Sequence, residues 1–64
     1  MKIALDAMGG DHAPEVSLVG ARDALSLYPQ IDTLFLVGDA DTLKQGCRQH
    51  GLTDSRVEIV HAPE

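Results

Sequence analysis

Apolar residues recur along this chain in two alternating rhythms. Ile3-Ala4-Leu5 is a short continuous run ended by Asp6, a pattern that predicts a strand buried on both faces. Gly9-Gly10 breaks it. After Pro14, Leu18, Ala21, Leu25 and Tyr28 recur at spacings of three and four, with Glu15, Arg22, Asp23 and Ser26 on the opposite side, which predicts an amphipathic helix. Pro14 fits the first turn, where a missing N–H loses nothing, and Pro29 marks the stop. Thr33 to Val37 reads as a second strand closed by Gly38. Asp39 can cap a second helix whose stripe is Ala40, Leu43, Cys47 and His50. Gly51 suits the left-handed position after its last turn, with Leu52 folding back on the stripe as in a Schellman ending. Gly46 weakens this helix by roughly 1 kcal/mol relative to alanine, and a close packing contact is the usual reason. Arg56 to Val60 supplies a third strand, with Val57 and Ile59 on one face and Glu58 and Val60 on the other.

Strands alternating with helices predict a parallel sheet with right-handed crossovers, the open α/β architecture. Such a sheet needs cover on both faces, which two helices cannot supply. A chain of 64 residues would bury only ~60% of its unfolded surface. Cys47 is the single cysteine, so no disulfide framework compensates. His61-Ala62-Pro63-Glu64 follows an apolar run with no closing helix. Residues 1–64 are therefore expected to be a fragment of a larger α/β domain.

Charge narrows the function. Ten acids against five bases give a net charge of -5, and the bases Lys2, Arg22, Lys44, Arg48 and Arg56 are scattered. Nucleic-acid binding would need a basic stripe, and single strands would need stacking rings beyond Tyr28 and Phe35. Only three apolar residues separate Lys2 from Asp6, far short of a signal-peptide core, and no stretch approaches the ~20 apolar residues of a spanning helix. A reducing, cytoplasmic setting fits best.

The segment Asp6-Ala7-Met8-Gly9-Gly10-Asp11-His12-Ala13-Pro14 leaves the carboxyl end of a strand and enters a helix, where open α/β sheets bind ligands. Two adjacent glycines let backbone approach a ligand, and free amides at a helix start attract anions. A phosphate-sized anion suits this loop. The spacing matches neither G-x-G-x-x-G nor the P-loop, and Pro14 removes one amide. Plainer readings stand beside this one. Gly9-Gly10 is more often a tight turn, and Asp11 can simply cap the helix, because Ala13 offers no acceptor. Asp6 can fix the loop by accepting backbone N–H bonds, the favoured reading from physics alone. His12 beside a helix start is ordinarily solvated, and Met8 is read as a packing residue. Two acids and a histidine so close together seldom converge on a metal without support from elsewhere, so no metal or cofactor is expected.

The run Met1 to Glu15, read as Ile3-Ala4-Leu5-Asp6-Ala7-Met8-Gly9-Gly10-Asp11-His12-Ala13-Pro14-Glu15, closely resembles the amino terminus of the PlsX-type phosphate acyltransferases. Phe35-Leu36-Val37-Gly38-Asp39 and Ile59-Val60-His61-Ala62 are similar to the same family's second and third strands. The resemblance thus spans the chain, although family members are several times longer. It implies a fold like those of phosphotransacetylases and isopropylmalate dehydrogenases. It also implies transfer of a fatty acyl group from the thioester of acyl carrier protein to inorganic phosphate, giving acyl phosphate for phospholipid synthesis. A homodimer with peripheral association at the inner face of the membrane is implied as well, through surfaces these residues do not reveal.

That chemistry needs a phosphate in line with the thioester carbonyl, a proton acceptor and donors for the developing oxyanion. Amides near Gly9 and Gly10 are candidates for binding phosphate. Asp6, Asp11 and His12 are the candidate catalytic side chains: a carboxylate repels a dianion unless it accepts a hydrogen bond from a protonated phosphate or removes that proton, and His12 is the weaker donor candidate. Lysines or arginines to neutralise phosphate are expected downstream. Acyl carrier protein is acidic and wants a basic docking face; Lys44 and Arg48 share a helix face, although a solvated surface is the plainer reading. Two alternatives remain open: a phosphotransacetylase- or dehydrogenase-like enzyme on the same sheet, and a non-catalytic module that binds a phosphorylated metabolite.

Overall fold

Five elements follow in the expected order: β1 (Lys2–Asp6), α1 (Glu15–Leu27), β2 (Thr33–Gly38), α2 (Ala40–Gln49) and β3 (Val57–His61). The structure is a computed structural model that describes residues 1–8 and 14–62. The strands form a parallel sheet in the order β1-β2-β3. Its register runs from Lys2 opposite Thr33 to Asp6 opposite Val37, and from Leu34 opposite Val57 to Gly38 opposite His61. An open α/β sheet is thereby established.

The strand order explains the core. Two crossovers of the same hand that step in the same direction leave both helices on one face of the sheet. There Leu18, Ala21 and Leu25 of α1 and Leu43 and Cys47 of α2 are buried with Leu34 and Leu36 of β2. Val57 and Ile59 pack against this cluster from β3, while Glu58 and Val60 are exposed, the predicted division of that strand. Burial of β1 on both faces is corrected: Ile3 and Leu5 are half-buried on the helix side, but Ala4 between them is exposed. The described residues place no helix against that second face, which carries Ala4, Phe35, Val37 and Val60.

Tyr28 is the other correction. Its backbone has left the helix (φ -121°, ψ 87°), because a residue that precedes proline disfavours the α region. The side chain is 51% exposed, and Ile31, at 1%, fills the end of the core instead. The second helix keeps closely to expectation. Asp39 accepts hydrogen bonds from the Thr42 N–H at 3.0 Å and the Thr42 hydroxyl at 2.6 Å. Gly51 is left-handed at φ 69°, and the Leu52 N–H donates to the Cys47 carbonyl at 2.8 Å, the six-to-one bond of a Schellman ending.

Gly46 brings the helices together. A Cβ there would collide with Cδ1 of Leu18, a side chain with no exposed surface. Alanine would raise helix propensity by ~1 kcal/mol, whereas overpacking a core costs ~1–3 kcal/mol. The second effect wins, so Gly46→Ala is expected to lower the melting temperature. A variant that melts at or above the wild type would refute this account of the contact.

Candidate functional site

The three strands end side by side at Asp6, Gly38 and His61, and this carboxyl edge is where the expected site chemistry lies. Asp6 Oδ1 accepts the Met8 N–H at 3.1 Å, closing the small side-chain turn that lets aspartate hold a strand end. The Ala7 N–H continues the ladder by donating to the Val37 carbonyl at 3.0 Å, and Ala7 is fully buried. Met8 packs against the core as the sequence suggested. It does so over Gly38, where any Cβ would strike Met8 Cγ and come within 3.3 Å of Leu43 Cδ1. The absent side chain at Gly38 is thus what seats the start of the loop. Gly9, Gly10, Asp11 and His12 lie outside the described residues.

The helix starts at this edge are finished differently. Pro14 is the cap residue of α1 and supplies no side-chain acceptor, although its carbonyl accepts the Leu18 N–H at 2.9 Å. The amino end of α2 is closed by two side chains. Asp39 takes the Thr42 amide, and the Thr42 hydroxyl followed by that amide holds its carboxyl below the usual carboxylate range. His61 Nδ1 accepts the Ala40 N–H at 3.0 Å. Two amides of that helix start, those of Ala40 and Thr42, are thus engaged.

From the residue pattern His61 was legible only as the position after the third strand, which the structure extends through it. The signal that could have singled it out is an imidazole placed directly after Val57-Glu58-Ile59-Val60, at the edge where these sheets bind ligands. Arg56 was likewise foreseen only as the start of β3, yet it organises the far end of the molecule. Its guanidinium donates to the Ile31 carbonyl at 3.1 Å and the Leu25 carbonyl at 2.7 Å. It also donates to both carboxylate oxygens of Asp54, at 3.0 and 2.7 Å. Hydrogen bonds from the Arg56 side chain and then its backbone hold the Asp54 carboxyl at about 2. This cluster lies at the amino end of the sheet, away from Asp6, and its role is structural.

Lys44 and Arg48 are both exposed, in keeping with the plainer reading. A hollow of about 460 Å³ beside them is also lined by Asp54 and Glu58. Two acids offset two bases, so the hollow has no evident preference for an acidic partner. No helix among the described residues is long and apolar enough to cross a membrane.

Comparison with known proteins gives a family match over the whole chain. The model of the fatty acid synthesis protein family matches residues 1–64. Relatives named phosphate acyltransferase include one from Akkermansia muciniphila, 50% identical over 64 residues. Others come from Exiguobacterium sp., 45% identical over 65 residues, and Bacillus mycoides, 42% identical over 64. Each covers 100% of this chain, which spans 18% of the relative's length. By its match over residues 1–64, this chain belongs to the fatty acid synthesis protein family.

Proposed function

We propose that these residues form the amino-terminal part of a phosphate acyltransferase. It would move a fatty acyl group from the thioester of acyl carrier protein to inorganic phosphate, making acyl phosphate for phospholipid synthesis. The observation that carries the reading is similarity over the whole chain, at up to 50% identity, to proteins named phosphate acyltransferase. The Asp6 turn supports it, since it holds a carboxylate at the carboxyl edge of a parallel sheet, shortly before Gly9 and Gly10 in the sequence.

In the reaction a phosphate oxygen attacks the thioester carbonyl, an oxyanion develops, and the C–S bond then breaks to release the carrier's thiol. The phosphate O–H must lose its proton, and the thiolate must gain one. Asp6 or Asp11 would accept or orient that proton, His12 would donate to phosphate, and amides at Gly9 and Gly10 would hold the anion. The Asp6 bond to Met8 uses Oδ1, and a carboxylate has a second oxygen with which to engage phosphate. A homodimer in the cytoplasm, with peripheral membrane contact, completes the proposal.

The deciding experiment incubates the full-length protein with an acyl-loaded carrier protein and follows the thioester. Consumption is expected with phosphate and not without it, with acyl phosphate as product. No consumption with tight binding of a phosphorylated metabolite would replace this reading with the binding-module alternative, and phosphate-independent hydrolysis would refute transfer to phosphate.

A further inference from the structure

We propose that the free edge of β1 is a docking surface for a later strand of the full-length protein, whose segment also fills the apolar groove beside that edge. The inference rests on family membership and not on the proposed reaction. Among the described residues β1 pairs only with β2. The Ala7 N–H donates to the Val37 carbonyl, and because successive peptide groups of a strand alternate in direction, the Ala4 and Asp6 N–H groups point away from β2. A ladder edge left open in this way is a template for another strand. Beside it lies a hollow of about 270 Å³, lined by Ile3 and Leu5 of β1, Leu34 of β2 and Ser17, Gly20 and Ala24 of α1. Ser17 brings its single polar side chain, so burial of this wall is favourable.

Gly20 gives a second argument. A glycine inside a helix weakens it, and at Gly46 the Leu18 side chain supplies the reason. At Gly20 an added Cβ would meet nothing within 4 Å, so no contact among the described residues explains the missing side chain. A partner seated closely on that wall does. The occupant is the same polypeptide, because this chain spans only 18% of its relatives' length and most of each remains to be placed around these five elements. The opposite edge of the sheet is unlike this one. Lys44, Arg48, Asp54 and Glu58 surround the hollow beside β3, and charges next to an edge strand keep further strands from adding to it. The sheet therefore grows at β1. With the added strand parallel, the strand order changes direction at β1, and the crevice of such a switch point opens outside its carboxyl end, at Asp6.

Residue-resolved hydrogen exchange of the full-length protein reads the pairing directly. The Leu5 amide, which faces β2, is the internal standard. The Ala4 amide is expected to exchange within about tenfold of the Leu5 rate, corrected for sequence, and to keep that protection on dilution. A larger difference, with Ala4 the faster, would overturn the inference. Protection of Ala4 that disappears on dilution would overturn it as well, since the added strand would then come from a second copy. Gly20→Leu tests the groove. On an open helix surface this change raises helix propensity and with it the melting temperature, whereas in a filled groove it overpacks the contact. A melting temperature lowered by roughly 3 °C or more is expected in the full-length protein. A smaller fall, or a rise, would overturn the filled groove. Neither readout needs turnover, so failure to consume thioester would refute the proposed function without touching this inference.

Discussion

Asp6→Asn in the full-length enzyme is expected to lower turnover at saturating phosphate by at least about tenfold, or ~1.4 kcal/mol of transition-state stabilisation, with the melting temperature unchanged. The amide oxygen of asparagine can still accept the Met8 N–H that Asp6 Oδ1 accepts at 3.1 Å, so the turn opening the loop survives. What disappears is the negative charge and the capacity to take a proton. Asp6→Ala should differ by losing the turn as well, with a lower melting temperature and turnover no better than the asparagine variant. Steady-state kinetics on the folded fraction, set beside calorimetry, distinguishes the outcomes. Normal turnover in Asp6→Asn would reduce Asp6 to a structural residue and shift the proton chemistry to Asp11 or to groups after Glu64.

Arg56→Met should have the largest effect on stability, a fall in melting temperature of roughly 5 °C or more. Methionine keeps most of the stem but strands the Leu25 and Ile31 carbonyls and the Asp54 carboxylate. Arg56→Lys should recover less than half of the loss, because one ammonium cannot span two carbonyls and a carboxylate that the planar fork reaches together. Acid titration gives a second readout. Asp54 is held at about 2, below its ordinary 3.8, so its contribution is present above the unfolded value and is lost as pH falls through the folded one. In Arg56→Met its titration should move back up towards 3.8, which carboxyl chemical shifts would follow. A carboxyl that still titrates near 2, or a melting temperature that does not move, would show that Arg56 is not the organising group.

What could be read in the residues was what depends on near neighbours. Asp39 caps α2 with Thr42 three residues on, and Gly51 and Leu52 end it through Cys47, so sequence spacing alone carries the geometry. Gly46 could be read as a close contact, though not as a contact with Leu18, because the partner lies on another helix. The same limit hid Arg56, whose carbonyl partners at Leu25 and Ile31 are 31 and 25 residues away. It also hid the Ala40 bond to His61, 21 residues apart. Tyr28 was misassigned because its place in the helical period was weighed above the proline that follows it. The expected two-sided burial of β1 is not met within this chain, which spans 18% of its relatives' length and whose described helices lie on one face of the sheet. At the site, the Asp6 turn was legible as a strand-end aspartate, whereas His61 required the register of β2 with β3.

Cys47 has a consequence for how this region can be observed. Buried in the core, it is 9% exposed, and burial pushes its thiol up from the ordinary value. Little of it is present as the thiolate that alkylating reagents need, and the reagent has little access to it. Native sulfur in this segment is therefore quiet towards a maleimide dye in the folded state. Val60, next to His61 and 44% exposed, offers a position for an introduced cysteine whose fluorescence would report ligand arrival at the strand ends without a competing signal from Cys47.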